Sequence, residues 1–189
     1  MRKLVAVELV SLDGVMESPE EWAFPYTDDE MNEANAAGMA ASDALLMGRE
    51  TYEGMVAFWP EQPAGSPMVD YINSVRKFVV STTLEEDLEW NNSALIGGVK
   101  GNVAEEIAAL KRQPGKAITV LGSGVLVRSL LREGLLDELN LMVHPLVLGS
   151  GKRLFDDDGE RRSFDLVDAT AFGSGVVSLV YRPSAGQDS

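Results

Sequence analysis

Short apolar runs alternate along this chain with stretches whose apolar residues recur every three or four positions. That alternation constrains the fold more than any single motif. "RKLVAVELV" (2–10), "DALLMG" (43–48), "KFVVS" (77–81), "SALIG" (93–97) and "AITVLG" (117–122) read as strands. Between and after them, "TDDEMNEANAAGMA" (27–40), "RETYEGMVAF" (49–58), "SPMVDYINSVR" (66–76), "VAEEIAALKRQ" (103–113) and "VLVRSLLREG" (125–134) read as helices. Thr27 with Glu30 forms a capping-box pattern, Ser66 precedes a proline at the first helical position, Asn102 precedes Glu105 by three, and Gly134 closes the last helix. Three strands then follow without a helix: "DELNLMVHPLVLG" (137–149), "RSFDLVDATAF" (162–172) and "VVSLVYRP" (176–183). The last two pair through a Gly-Ser-Gly turn at 173–175. Alternation demands crossover connections, hence a mostly parallel sheet covered on both faces; consecutive strands add an antiparallel C-terminal edge. The expectation is one α/β domain over residues 1–183 and a frayed tail at 184–189.

Composition narrows the function classes. The 189 residues suit one core, and the absence of cysteine removes disulfides, thiolate metal sites and a cysteine nucleophile. A formal charge of −14 repels nucleic-acid backbones and acidic membranes. Glu8 interrupts the first apolar run and no small-residue cleavage site follows, so the N-terminus reads as a strand and not a signal peptide. No apolar run approaches the roughly 18–20 residues that span a bilayer. The expected setting is cytoplasmic, with a small molecule as partner and neither nucleic acid nor membrane.

Three strand ends run straight into glycine or hydroxyl residues: "ALLMGRETY", "FVVSTTL" and "TVLGSGVL". In an open α/β sheet, ligands sit outside the carboxyl ends of strands. These ends carry groups suited to phosphate: amides at Gly48, Gly122 and Gly124, hydroxyls at Thr51, Ser81, Thr82, Thr83 and Ser123, and the Arg49 guanidinium. Arg49 with Ser81 and Thr82 suits the extra 2′-phosphate of NADP. The dinucleotide pattern of a Rossmann fold does not fit, because its third glycine position is Val127 and no acidic residue ends the next strand. Asp13-Gly14 follows the first strand, where a carboxylate can orient a substrate or relay a proton, or simply make a turn. Gly149-Ser150-Gly151 followed by Lys152 and Arg153 reads as an anion-receiving loop or as a charged surface loop. Trp22, Phe24, Phe58 and Trp59 are candidates to wall a pocket for a flat ring, or core residues. His144, the sole histidine, reads as structural; "DDDGE" (156–160) lacks the spacing of a calcium loop and reads as a solvated turn; no metal site is expected.

Taken together, "SLDG" (11–14), "LLMGRETYE" (45–53), "VVSTTL" (79–84), "ITVLGSGVLVRSLL" (118–131) and "DELNLMVHPLVLGSGKRLF" (137–155) resemble the dihydrofolate-reductase-like superfamily. The branch they resemble contains the C-terminal reductase domain of the riboflavin-biosynthesis deaminase-reductase. The resemblance implies a three-layer fold that binds NADP(H). It implies that Gly48, Arg49 and Thr51 line phosphates and that Ser81 and Thr82 meet the 2′-phosphate. It puts the pyrophosphate on Gly122, Ser123, Gly124, Val125 and Leu126. Asp13 then faces the nicotinamide–substrate region, as the catalytic candidate, with Gly149, Ser150, Gly151 and Lys152 on the substrate side. It also implies a homodimer. The expectation is a reductase-like unit without a preceding deaminase unit, and "ESPEEWAFPYTDDEMNE" is acidic where a phosphorylated substrate prefers basic groups. Glu30 and Glu33 lie where dihydrofolate reductases carry a proton-supplying carboxylate. The expected function is an NADPH-dependent reductase of a small heterocyclic or carbonyl-type substrate. The alternatives are a non-catalytic nucleotide-binding module and a hydrolase built on Ser123 or Ser150.

Overall fold

The computed structural model describes residues 1–84, 88–99, 101–155 and 161–184. The turn expected at 156–160 and the tail beyond Ser184 lie outside them. The chain runs β1 (Leu4–Ser11), α1 (Pro19–Trp22), α2 (Asp29–Ala41), β2 (Ser42–Gly48), α3 (Arg49–Phe58), α4 (Pro67–Ser74), β3 (Arg76–Ser81) and β4 (Ser93–Gly97). It continues with α5 (Val103–Arg112), β5 (Ala117–Val120), α6 (Gly124–Arg132), β6 (Glu138–His144), β7 (Phe164–Ala171) and β8 (Val177–Pro183). The strands form one sheet in the order β4-β3-β2-β5-β1-β6-β8-β7. Every neighbour pair from β4 to β6 is parallel, and the β6–β8 and β8–β7 pairs are antiparallel. The mostly parallel sheet with an antiparallel C-terminal edge is thus observed.

Side-chain alternation along the strands creates three layers. Ala44 and Leu46 of β2, with Leu4, Ala6 and Val10 of β1, pack against Ile107 and Leu110 of α5 and Leu126, Val127 and Leu130 of α6. Leu45 and Met47 point to the other face, against Tyr52 of α3 and Ile72 of α4. Met31 of α2 joins Met142, Phe172 and Val176 in a smaller cluster under the antiparallel edge. Among the described residues no helix is long and apolar enough to cross a membrane.

Several boundaries differ from the sequence reading, each for a local reason. Asp28 caps α2, accepting the Met31 amide at 2.8 Å, so the capping box on Thr27 does not form. Ser66 makes no side-chain cap bond to α4; Asp70 instead reaches back to the Gly65 amide at 3.1 Å. β6 stops at His144, because Pro145 has no amide to continue the ladder, and 145–149 are loop. β5 stops at Val120, two residues before Gly122 takes a left-handed φ of 58°. The acidic stretch after β1 contains the short α1 and a 3₁₀ turn at Phe24–Tyr26, elements too short to carry a periodic signal.

Candidate functional site

Because β1 to β6 are parallel, their carboxyl ends lie along one edge of the sheet. Gly48, Ser81, Gly122 and Asp13 all follow strands on that edge. β2 and β5 are adjacent, which brings Gly48 to the Gly122 turn: the Gly48 amide donates to the Gly122 carbonyl at 3.2 Å. The approach is tight. A Cβ on Gly48 would stand 3.0 Å from Ser123 Oγ, and one on Gly122 would stand 3.2 Å from Thr51 Oγ1. Gly48, Thr51, Gly122 and Ser123 are therefore one contiguous surface made from two strand ends.

Ser123 caps α6, its Oγ accepting the Leu126 amide at 3.4 Å. The Gly124 and Val125 amides open the helix with no carbonyl of their own helix to bond, at the positive end of its dipole. Val125 is 68 % exposed there, whereas the Leu126 side chain is buried in the core. The Gly122 amide is not open: it donates to Glu8 Oε1 at 2.8 Å. Glu8 is buried, and burial pushes its carboxyl up to about 8 against the lowering effect of that bond. In the sequence Glu8 served only to interrupt an apolar run; an acid in the middle of a buried strand was the signal for it.

Arg49 opens α3, pairs with Glu53 at 2.6 Å and donates to Thr83 Oγ1 at 3.2 Å, so it leans toward the end of β3. Ser81 is buried, and its Oγ accepts the Thr83 and Leu84 amides, both at 3.1 Å. Its oxygen shapes the turn, while Thr82 and Thr83 are exposed beside Arg49. Thr82 also borders a cleft of about 450 Å³ between α5 and α6, with Asn102, Val103, Ile107, Leu126 and Leu130. A larger cleft of about 680 Å³ lies among Asp70, Asn73, Trp90 and Asn92, by the amino ends of β3 and β4, and holds none of the candidate residues.

On the other flank, Asp13 Oδ1 accepts from Ser11 Oγ at 2.6 Å and from the Leu148 amide at 3.1 Å, and Oδ2 accepts the Gly149 amide at 2.9 Å. The Ser11 hydroxyl first, then the two amides, hold its carboxyl down at about 2. Arg153 Nε donates to the Asp13 carbonyl at 2.9 Å, and the Lys152 amide to Glu17 Oε2 at 3.2 Å. Lys152 Nζ reaches Glu50 Oε2 at 2.9 Å, joining the 149–152 loop to the start of α3. Gly151 has φ 122°, and a Cβ there would strike Val15 at 2.6 Å. Ser150 is exposed on the same loop.

The two tryptophans do not converge on one pocket. Trp22 is 8 % exposed, donates to the Glu17 carbonyl and meets the His144 ring edge-on at 5.1 Å, whereas Trp59 packs into the cluster under α3 and α4. Trp22 is thus buried and Trp59 partly so. His144 is fully buried, with Nδ1 2.9 Å from the Met142 carbonyl. Glu30 accepts the Gly173 amide at 2.9 Å, at the β7–β8 turn. Glu33 is exposed on α2. Among the described residues no cluster of histidine and carboxylates has the makings of a metal site.

Comparison with known proteins agrees with this architecture. The profile of the RibD C-terminal domain matches residues 2–178. An uncharacterized Bacillus subtilis (strain 168) protein, YyaP, is 32% identical over 186 residues, covering 95% of this chain and 94% of its own. A Shewanella sp. PV-4 protein provisionally assigned to riboflavin biosynthesis superposes with a TM-score of 0.76 at 23% identity, over 97% of this chain and 99% of its own. Dihydrofolate reductase from Enterococcus faecalis, solved with NADP(H) and RAB-propyl, gives 0.61 at 16% identity over 97% of both chains. The fold is dihydrofolate-reductase-like.

Proposed function

The chain belongs to the RibD C-terminal domain family, and from that premise we propose that it is an NADPH-dependent reductase of a small heterocyclic or carbonyl-type substrate. One observation carries the reading. The amino end of α6 and the Arg49–Thr83 pair stand at the carboxyl ends of neighbouring strands, and Thr82 and Leu126 connect them to the cleft between α5 and α6. The missing side chains at Gly48 and Gly122 let the two strand ends and the start of α3 close on one another to form this surface. In this reading the Gly124 and Val125 amides take the pyrophosphate, with the Ser123 hydroxyl holding the helix start in place. Arg49, Thr82 and Thr83 take the 2′-phosphate, and Ser81 fixes the turn that presents the threonines. Gly48 and Thr51 complete the phosphate surface. The α5–α6 cleft takes the adenine.

When bound, the cofactor supplies a hydride to a C=N or C=O acceptor. The protein's part is orientation. Asp13, whose carboxyl its donors hold down at about 2, carries no proton near neutrality and acts by fixing the 148–149 backbone. Lys152, paired with exposed Glu50, offers a cation to an anionic substrate on the same loop. The reading treats residues 1–183 as one reductase unit, cytoplasmic and homodimeric. Light scattering tests the pairing.

Titrating NADPH and NADH against tryptophan fluorescence, with Arg49→Ala as control, tests the cofactor. Saturable NADPH binding, weaker for NADH and for the variant, is expected; no binding at millimolar NADPH overturns the reading. NADPH oxidation assayed across pterins, pyrimidines and carbonyl compounds tests catalysis. Binding with no turnover on any of them identifies a nucleotide-binding module instead.

A further inference from the structure

Glu8 is a buried acid that none of these roles uses. It stands in β1 between Ala6 and Val10, which face the core under α5 and α6, and is 4 % exposed. Oε1 accepts the Gly122 amide at 2.8 Å. Oε2 lies 3.8 Å from the point where a Cβ on Gly122 would stand, and that point is 3.2 Å from Thr51 Oγ1 and 3.6 Å from Met16 Cε. Carboxyl, α3 hydroxyl and glycine turn therefore share one small space, two residues before Gly124 begins α6.

The charged groups on the surrounding elements answer to other partners. Arg49 binds Glu53 and Thr83, Glu50 binds Lys152, Arg128 of α6 binds the Leu154 carbonyl at 2.8 Å, and Arg153 binds the Asp13 carbonyl. Asp13 is itself occupied by Ser11 and the 148–149 amides. The β6 residue in register with Glu8 is Leu141.

We propose that Glu8 is a positioning residue for the anionic ligand of the Gly122–Gly124 turn: as a neutral acid it braces the turn, and as a carboxylate it sets a negative charge beneath the ligand and weakens binding. The proposal rests on the reductase reading, which supplies the ligand, NADPH. Burial favours the neutral form up to about pH 8, and in so dry a place a like charge acts with little screening.

The test is the NADPH dissociation constant from about pH 6.5 to 9.5 for the wild type and Glu8→Gln, which keeps the shape and the carbonyl acceptor. The 2′-phosphate titrates equally in both, so the difference isolates Glu8. Relative to the variant, the wild type is expected to lose affinity up to about 30-fold toward the alkaline end. Parallel profiles overturn the inference and leave the reductase reading standing. No NADPH binding at any pH overturns both. Should Glu8→Gln fail to fold, carbon-13 NMR of the wild type labelled at glutamate carboxyls decides. The Glu8 titration is expected to move to higher pH when NADPH is added, and an unmoved midpoint overturns the proposal.

Discussion

Gly-Ser-Gly occurs at 122–124 and again at 149–151, and in both turns the amide of the first glycine donates to a carboxylate: Glu8 at 2.8 Å and Asp13 at 2.9 Å. The two acids nonetheless shift in opposite directions. Glu8 is buried with one donor recorded, and desolvation drives it up to about 8. Asp13 sits at the surface, where a hydroxyl and two amides hold it down at about 2. The turns also diverge downstream. The first runs into the nine residues of α6, whose first amides, at buried Gly124 and exposed Val125, have no carbonyl of their own helix to bond, while the second runs into a loop whose Lys152 amide is taken by Glu17. A third copy, at 173–175, is closed likewise by Glu30 and Asp28 on the Gly173 and Ser174 amides. What suits a glycine turn to an anion is the element that follows it and the amides its own protein leaves unclaimed.

The largest expected effect tests the contrast between the acids. The native state keeps a Glu8 proton that the unfolded chain releases above about 4.5, so Glu8 makes stability fall as pH rises from there to about 8, then level off. Urea unfolding across that window is expected to show a loss of order 3–5 kcal/mol from this group, absent in Glu8→Gln; an identical slope in the variant removes the buried proton from the account. Asp13, lowered, produces no such slope in this range.

Next, Gly122→Val strikes Thr51 and forces a β-branched residue to φ 58°. A loss of ~100-fold in NADPH affinity is expected, from displaced phosphate donors, with stability lower by about 2 kcal/mol. Arg49→Ala follows, with NADPH affinity down ~10–100-fold and NADH changed little, as suits a lost charge-assisted bond to the 2′-phosphate; equal losses for both cofactors would move Arg49 off that phosphate. The smallest effect belongs to the second turn. Gly149 has φ 80° but open space around its Cβ, so Gly149→Ala costs only about 1 kcal/mol of stability and leaves NADPH affinity unchanged.

The sheet was legible in the sequence because its strands alternate with long amphipathic helices and because glycines and caps punctuate both. Elements governed by a few residues were not: α1 has four residues, and the stop of β6 depends on one missing amide at Pro145. The candidate site was legible as a set of strand ends, since residue types suited to phosphate cluster there. Which donors remain open was not legible, because it depends on contacts 114 residues apart for Glu8–Gly122 and 136 for Asp13–Gly149. The surroundings of Trp22 and Trp59 were not legible either: an aromatic residue looks alike in sequence whether it walls a pocket or fills a core.

The most direct measurement is a nitrogen-15 amide spectrum recorded while NADP⁺ is added. The account predicts the largest shifts at Gly124 and Val125, smaller ones at Arg49 and Thr83, and none at Gly173 or Gly175. Shifts centred on the 173–175 turn, or none anywhere at millimolar NADP⁺, would contradict it.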